Sequence, residues 1–503
     1  MVTAPSGEGG DLQGDAAEPR HDSPPSEGTT SRPRGRAARR AAASGRSNPA
    51  PGTQPSETPG GELERRVARL EFAEGAFVRL RVPVLAEGAE DGRDVLTDID
   101  VLSIDVDQRL RVSRGSLECK GGKGQSGEPY TIVWLAGFRQ LLRLDRAVLV
   151  RQTVSRRGKI LARKLGILTV DSQTLKAREP GHAWLPDRFA HLDGAECLAA
   201  ESRTDTQLKG LPDVPGSLVG FLRAEAMLAE PHALLSALQA LSRAVTRQGV
   251  LPHPTSQVLA GHALVALILA GLQDAGRLDV VPVDVLRGRL ERALTVGDPD
   301  DVHLLAVLDK ADALFGYYQE RIHRAYVAAG AEPLRVDVAS LRNVIASPPP
   351  FLDDYVDFVV RLRANPAVAR DLLQTAELAC FDALLGDTAW TAPAFQHLFT
   401  PEHRGLLLVA LKCLGAIAGD QVSEALNGVR ELPFNGTQAS APDRQQAGSA
   451  GGGQPRERNE ASNPADEAAQ EAAQLELSVP NASTGEAEPP SSRDPLSVTP
   501  NEF

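Results

Sequence analysis

The chain has 503 residues, 42% hydrophobic and 24% charged, with a formal net charge of −12 and four cysteines. That length accommodates about two or three domains, at least one with a sizeable core. Cys119, Cys197, Cys380 and Cys413 are far apart, with no CxxC pair and no His at ligand spacing, which argues against a zinc site or a disulfide framework and fits a reducing, cytoplasmic compartment.

Residues 1–60 are rich in Pro, Gly, Ser and Glu, and their seven acids balance seven arginines. They are expected to be a disordered tail. The stretch 32–46 holds six arginines and either touches nucleic acid or solubilises the tail. Leu63, Val67 and Leu70 have helical spacing, which predicts a short helix ending near Gly75. Alternating patterns predict strands over 76–86, 95–106 and 110–120, with turns at Gly88, Asp91-Gly92 and Asp107-Gln108. A helix over 130–144, a strand over 147–154, a basic helix over 156–165 and a short strand over 166–170 complete the order α-β-β-β-α-β-α-β. Residues 61–180 thus read as one α/β domain with a mixed sheet.

From about 185 to 432 strands vanish. Helices are expected near 216–229, 231–247, 256–274, 284–296, 300–328, 337–346, 351–364, 366–386 and 402–428, several opened by Pro231, Ser256, Asp284 or Pro366. The longest apolar run, 258–272, contains His262 and falls short of the roughly 20 residues of a membrane span. It reads as a buried core helix, and no membrane partner is expected. Asp300-Asp301 and Asp353-Asp354 sit near helix starts, where acids favour the macrodipole. His262, Tyr317 and Tyr318 read as packing residues. Residues 433–503 carry four basic and eleven acidic side chains and are expected to be a disordered acidic tail.

Charge is uneven. Residues 61–180 sum to +5 and 181–432 to −10, and within the former 109–178 carry sixteen basic and four acidic side chains. A positive module in an acidic chain suggests a polyanion partner. Glu118 and Lys120, two apart on the third strand, share a face, with Leu117 and Cys119 on the other. Asp98 and Asp100 likewise share a face of the second strand. A short hairpin lets a carboxylate from each strand converge beside the lysine. Two carboxylates and a main-chain carbonyl make a hard-oxygen site suited to Mg²⁺, where a lysine can orient water or stabilise charge on phosphate. The same pattern also arises as a solvated strand edge with a weak ion pair.

These residues and their surroundings resemble the PD-(D/E)xK nuclease superfamily, most closely its Mrr-type restriction endonuclease domain, over about 62–178. LERRVARLEFAEGAFVRL (63–80) looks like the family's first helix, TDIDVL (97–102) like its metal-binding Asp strand and LECKGG (117–122) like its ExK strand. AVLVRQTVSRRGKILARKLGILTVDSQTL (147–175) looks like the strand, helix and short strand that follow. The resemblance implies a restriction-endonuclease-like α/β fold with an α-β-β-β-α-β core, followed here by an all-α region. It implies a Mg²⁺-dependent DNA endonuclease, with Mn²⁺ as a substitute, of restriction, phage-defence or repair type. The catalytic set carried over is Glu64 (with Glu71 second), Asp100 (with Asp98 as the alternative), Glu118 and Lys120. Asp100, Glu118 and the Cys119 carbonyl would hold the metal. The family often has Gln two before the Glu; here Ser116 stands there, with Lys123 and Gln125 just beyond the motif.

Lys123, Arg139, Arg143, Arg156, Lys159 and Arg163 are the expected DNA contacts, within a basic run that also holds Arg151, Arg157 and Lys164. Arg156, Lys159 and Arg163 fall at i, i+3 and i+7, on one helix face. The acidic all-α region is expected to serve a protein partner or self-association. Two other readings remain: a nuclease fold that binds nucleic acid without cutting it, and a helical regulatory protein whose α/β part serves assembly.

Overall fold

A computed structural model of the chain describes residues 59–85, 95–121, 127–181, 183–297, 303–332 and 340–436. Nearly all of both tails, the turns expected at Gly88 and Asp91-Gly92, and Lys123, Gln125, Asp300 and Asp301 lie outside these residues.

The elements in chain order are α1 (Pro59–Ala73), β1 (Phe77–Leu85), β2 (Val95–Val106), β3 (Val112–Lys120), α2 (Glu128–Leu141), β4 (Arg146–Arg151), α3 (Arg156–Lys164), β5 (Leu168–Asp171) and α4 (Ser172–Arg178). Gly75, at φ 103°, turns the chain from α1 into β1, a conformation glycine adopts at little cost. The strands form one mixed sheet in the order β1-β2-β3-β4-β5. β1, β2 and β3 are antiparallel neighbours, and β3, β4 and β5 run parallel. Parallel neighbours need a crossover, which α2 and α3 supply. The mixed sheet and its element order are those read from the sequence, with α4 added.

The remainder is helical, and its centre is Thr255–Arg277, continuously buried from Val258 to Ala275. Among the described residues it is the one helix long and apolar enough to cross a membrane, yet 89% of its most apolar window is buried inside the protein. Three expected helices are interrupted. The segment after Gly216 breaks at Ala224, and the last long helix stops at Gly419 with φ 90°. Residues 366–386 divide into Pro366–Ala369, Leu372–Leu378 and a π-helical turn, Ala379–Ala383. The helix Ala195–Leu208 was not expected; its buried stripe is only Cys197, Ala200 and Thr204. Tyr317 and Tyr318, expected to pack, are 61% and 52% exposed. Their helix, His303–Ala328, buries only Leu305 and Leu308 near its start.

One buried cluster runs from Val67 to Phe434 and takes in both the sheet and the helices. Gln374 donates to the carbonyls of Phe72 (2.8 Å) and Ala76 (2.9 Å). Arg114 on β3 donates to the carbonyls of Met227 (2.9 Å) and Ala229 (3.1 Å). Gly276 must lack a side chain, because a Cβ there would lie 2.6 Å from the Leu110 carbonyl oxygen. Coverage on both faces also explains β2. Its sequence alternates polar and apolar residues, yet Ile99 through Ile104 are all buried.

Candidate active site

The pairing of β2 with β3 sets Val101 opposite Leu117. One step toward the end of the ladder, Asp100 and Glu118 therefore share the other face of the sheet. The Cys119 N–H donates to Asp100 Oδ2 at 2.8 Å, so a carboxylate continues the ladder where main-chain pairing stops. Both acids are buried, with side chains 3% and 8% exposed, while Lys120 is 33% exposed. Lys120 Nζ contacts Glu118 Oε1 and lies 3.7 Å from Asp100 Oδ2. Asp98 is exposed and sits opposite Pro83 on β1. Asp100 is therefore the carboxylate that joins the cluster.

Glu64 lies at the same end, on α1. It accepts from Arg81 Nε at 3.2 Å, and Arg81 Nη2 reaches Asp193 at 2.8 Å. Arg81 belongs to β1 at the step opposite Asp100 and has φ 52°. That left-handed backbone costs a non-glycine residue about 1–3 kcal/mol, and here it accompanies a guanidinium that holds Glu64. The Cys119 thiol is driven well above its ordinary pKa by burial and by Asp100, Glu64 and Glu118. Glu71 faces elsewhere: it pairs with Arg146, which also reaches Ser103 (2.6 Å) and Asp105 (2.9 Å). That group is three residues along β2 from Asp100, about 10 Å at the usual strand rise. Gly115 makes room for it, since a Cβ there would come within 2.6 Å of Arg146 Nε.

The basic residues divide by position. β3 and β4 run parallel, so Lys120, Arg151 and the start of α3 lie toward one end of the sheet, with Lys120 paired to Arg151. Arg139 and Arg143 lie at the C-terminal end of α2, where the chain returns to the far end of the sheet before β4. Arg139 spends two donors on the carbonyls of Leu144 (3.2 Å) and Gly166 (3.0 Å). Arg156, Lys159 and Arg163 line one shallow concavity on α3 with Val154 and Ile160, and Lys159 pairs with Asp171 at 3.1 Å.

Sequence reasoning did not identify the support beneath α3. Glu128, 1% exposed, accepts from the Ser155 hydroxyl at 2.5 Å and lies 3.8 Å from Arg151. Ser155 caps α3 by accepting from the Gly158 N–H at 2.9 Å. A Cβ on Gly158 would sit 1.9 Å from Glu128 Oε1. The only local signal was a Ser three residues ahead of a Gly in a basic helix.

A second buried polar cluster lies where β1 meets the helices. Glu377 pairs with Arg79 at 2.7 Å and with His191 Nδ1 at 2.6 Å. Glu201 meets His191 Nε2 at 3.3 Å, His262 Nε2 at 2.7 Å and Arg223 at 2.6 Å. His191, Glu201 and His262 could reach one metal ion by position. Their charges favour a hydrogen-bonded network instead. Burial and Arg79 oppose an imidazolium at His191, yet Cys197 and Glu377 hold its pKa well above the usual range. Two guanidiniums and that imidazolium already outnumber the two carboxylates, so a divalent ion would add positive charge to a buried site that has no negative charge to spare. Burial pushes His262 down to about 4, which keeps it neutral, a hydrogen-bonded core residue as the sequence suggested.

Comparison with protein-family models, with curated proteins and with solved structures finds no match to this chain. The functional case therefore rests on the residues and the topology.

Proposed function

We propose that the chain hydrolyses phosphodiester bonds in DNA with a divalent cation, Mg²⁺ or Mn²⁺, at Asp100, Glu118 and Lys120, and that its sheet belongs to the PD-(D/E)xK class. The observation that carries this reading is the convergence of two buried carboxylates and a lysine at one end of a mixed sheet, in an α-β-β-β-α-β order. Two buried carboxylates are a hard-oxygen donor set of the kind such ions take, so the residues fit the ion; the main-chain carbonyl of Cys119 directly follows Glu118 in sequence. Bound there, the ion would acidify a water and share charge on the phosphate.

The chain's own residues supply the rest. Lys120 reaches both carboxylates from the more exposed side, so a modest swing carries its ammonium to an attacking water or a phosphate oxygen. Arg81 holds Glu64 on the neighbouring helix α1. Arg156, at the start of α3, offers a phosphate contact at that end of the sheet, and Lys159 and Arg163 extend the same basic face along the helix, positioning a duplex without reading its sequence. Arg139 and Arg143 do not belong to that surface. The proposed setting is cytoplasmic, consistent with four free, buried cysteines.

One observation favours a second reading, a nuclease fold that binds nucleic acid without cleaving it. Lys120 lies across both carboxylates and already neutralises part of their charge. Cleavage of supercoiled plasmid and linear duplex separates the two. With Mg²⁺ or Mn²⁺ present the protein nicks DNA, EDTA stops it, and Lys120→Ala loses about 10²–10³-fold in rate. DNA binding without metal-dependent nicking establishes the second reading.

A further inference from the structure

The helix His303–Ala328 is the least covered long element among the described residues. At 100° per residue, Val307, Leu314, Phe315, Tyr318, Ile322 and Tyr326 fall within about 120° of arc. All six are more than half exposed. Along the same face Ala311, Phe315, Tyr318, Ile322 and Ala325 follow one another at intervals of four, three, four and three. That alternation is the heptad spacing of a helix-to-helix seam.

We propose that this face is where two copies of the chain associate, helix against helix, about a two-fold axis. Three observations select a second copy. The first is area. Phe315, Tyr318 and Tyr326 are 63%, 52% and 61% exposed, and aromatic side chains of this size leave roughly 300–400 Å² of ring surface in water. Val307, Leu314 and Ile322 add to it. A monomer's largest apolar patch is about 300–600 Å², and one side of a standard interface is about 800 Å². The stripe, widened by exposed Val344 and Ile345 on the adjoining helix Leu341–Ile345, lies between those values.

The second observation is self-complementarity. A heptad stripe without a charged residue at its seam positions matches a copy of itself, as an isologous contact requires. The third concerns the chain's own tails. Residues 1–58 hold only Met1, Val2 and Leu12 as large apolar side chains, and 437–503 hold three Leu, two Val and one Phe, of which only Leu475 and Val479 stand at helical spacing. Neither tail carries a matching stripe. The contact is independent of the phosphodiester reading, and where both hold each particle carries two sheet-end sites.

The test is sedimentation velocity of the full chain over a range of concentrations. Beside it run the double variant Phe315→Glu, Ile322→Glu and the control Glu320→Ala on the opposite side of the helix, with far-UV circular dichroism to verify folding. The wild type and the control sediment at twice 53.5 kDa, and the folded double variant sediments as a monomer. A wild type that stays monomeric at every concentration overturns the proposal and turns attention to a different partner. A folded double variant that still forms the dimer also overturns it, by placing the contact elsewhere.

Discussion

Two of the places where the described residues bury charge are built differently. Where β1 meets the helices, Glu377 and Glu201 face Arg79, Arg223 and His191, and neutral His262 closes the network. At the end of the sheet, Asp100 and Glu118 are as deeply buried, but the cation drawn to both is Lys120, a third exposed and on a flexible stem. In the first arrangement each carboxylate already has its own cations, which is how a fold keeps ions in its core. The second keeps its positive charge movable and open to solvent. Burial alone does not mark a reactive site. Burial of carboxylates beside a cation that can leave is the more telling sign.

The largest effect expected from this contrast is on stability. Glu377→Ala leaves Arg79 buried opposite nothing and should cost about 3–5 kcal/mol, read as a fall in the urea midpoint with unchanged slope. Asp100→Asn should leave that midpoint nearly unchanged, because the amide oxygen can still accept from the Cys119 N–H, while cleavage falls by about 10²–10³-fold. If the two variants exchanged roles, the contrast would be broken.

Next in size is Gly158→Ala. Its Cβ would strike Glu128 Oε1 and should cost about 1–3 kcal/mol through overpacking, measured as a lowered melting temperature. Binding assays sharpen the basic surface. Arg156→Ala should reduce the salt dependence of DNA binding by about one phosphate contact, whereas Arg143→Ala should leave it unchanged.

The smallest expected effect concerns pH. Burial holds His262 near 4 in the folded chain, below the roughly 6.5 of an unfolded histidine. The unfolded state therefore binds the extra proton, and this contribution to stability is present above about 6.5 and lost as pH falls toward 4. Replacing His262 by Gln, which keeps a donor for Glu201, should flatten that part of the urea-midpoint profile relative to the wild type.

Much of this was legible in the sequence because strands and hairpins write their geometry locally. The 95–106 strand matched its observed bounds, and strand phase alone put Glu118 and Lys120 on one face. Choosing Asp100 over Asp98 needed the register, since Asp98 has the same phase but lies two residues farther from the ladder with β3. The position of Arg139 and Arg143 was illegible for a related reason: their nearness to the motif along the chain says nothing of which end of a parallel crossover they reach. The Glu128–Ser155–Gly158 support joins residues about 30 apart, and no local pattern announces it. Nor does composition reveal that the sheet and helices share one core, which depends on contacts such as Gln374 with Phe72 across three hundred residues. Interrupted helices were missed because Ala224 and Gly419 sit inside otherwise periodic stretches, and tertiary packing decides whether such residues break a helix.

The most direct test of the central claim is equilibrium binding of Mn²⁺, followed by electron paramagnetic resonance, in the wild type and in Asp100→Asn and Glu201→Gln. The wild type and Glu201→Gln should bind the ion alike, and Asp100→Asn should lose it. Binding that survives in Asp100→Asn but disappears in Glu201→Gln would contradict the account and move the cation to the histidine cluster.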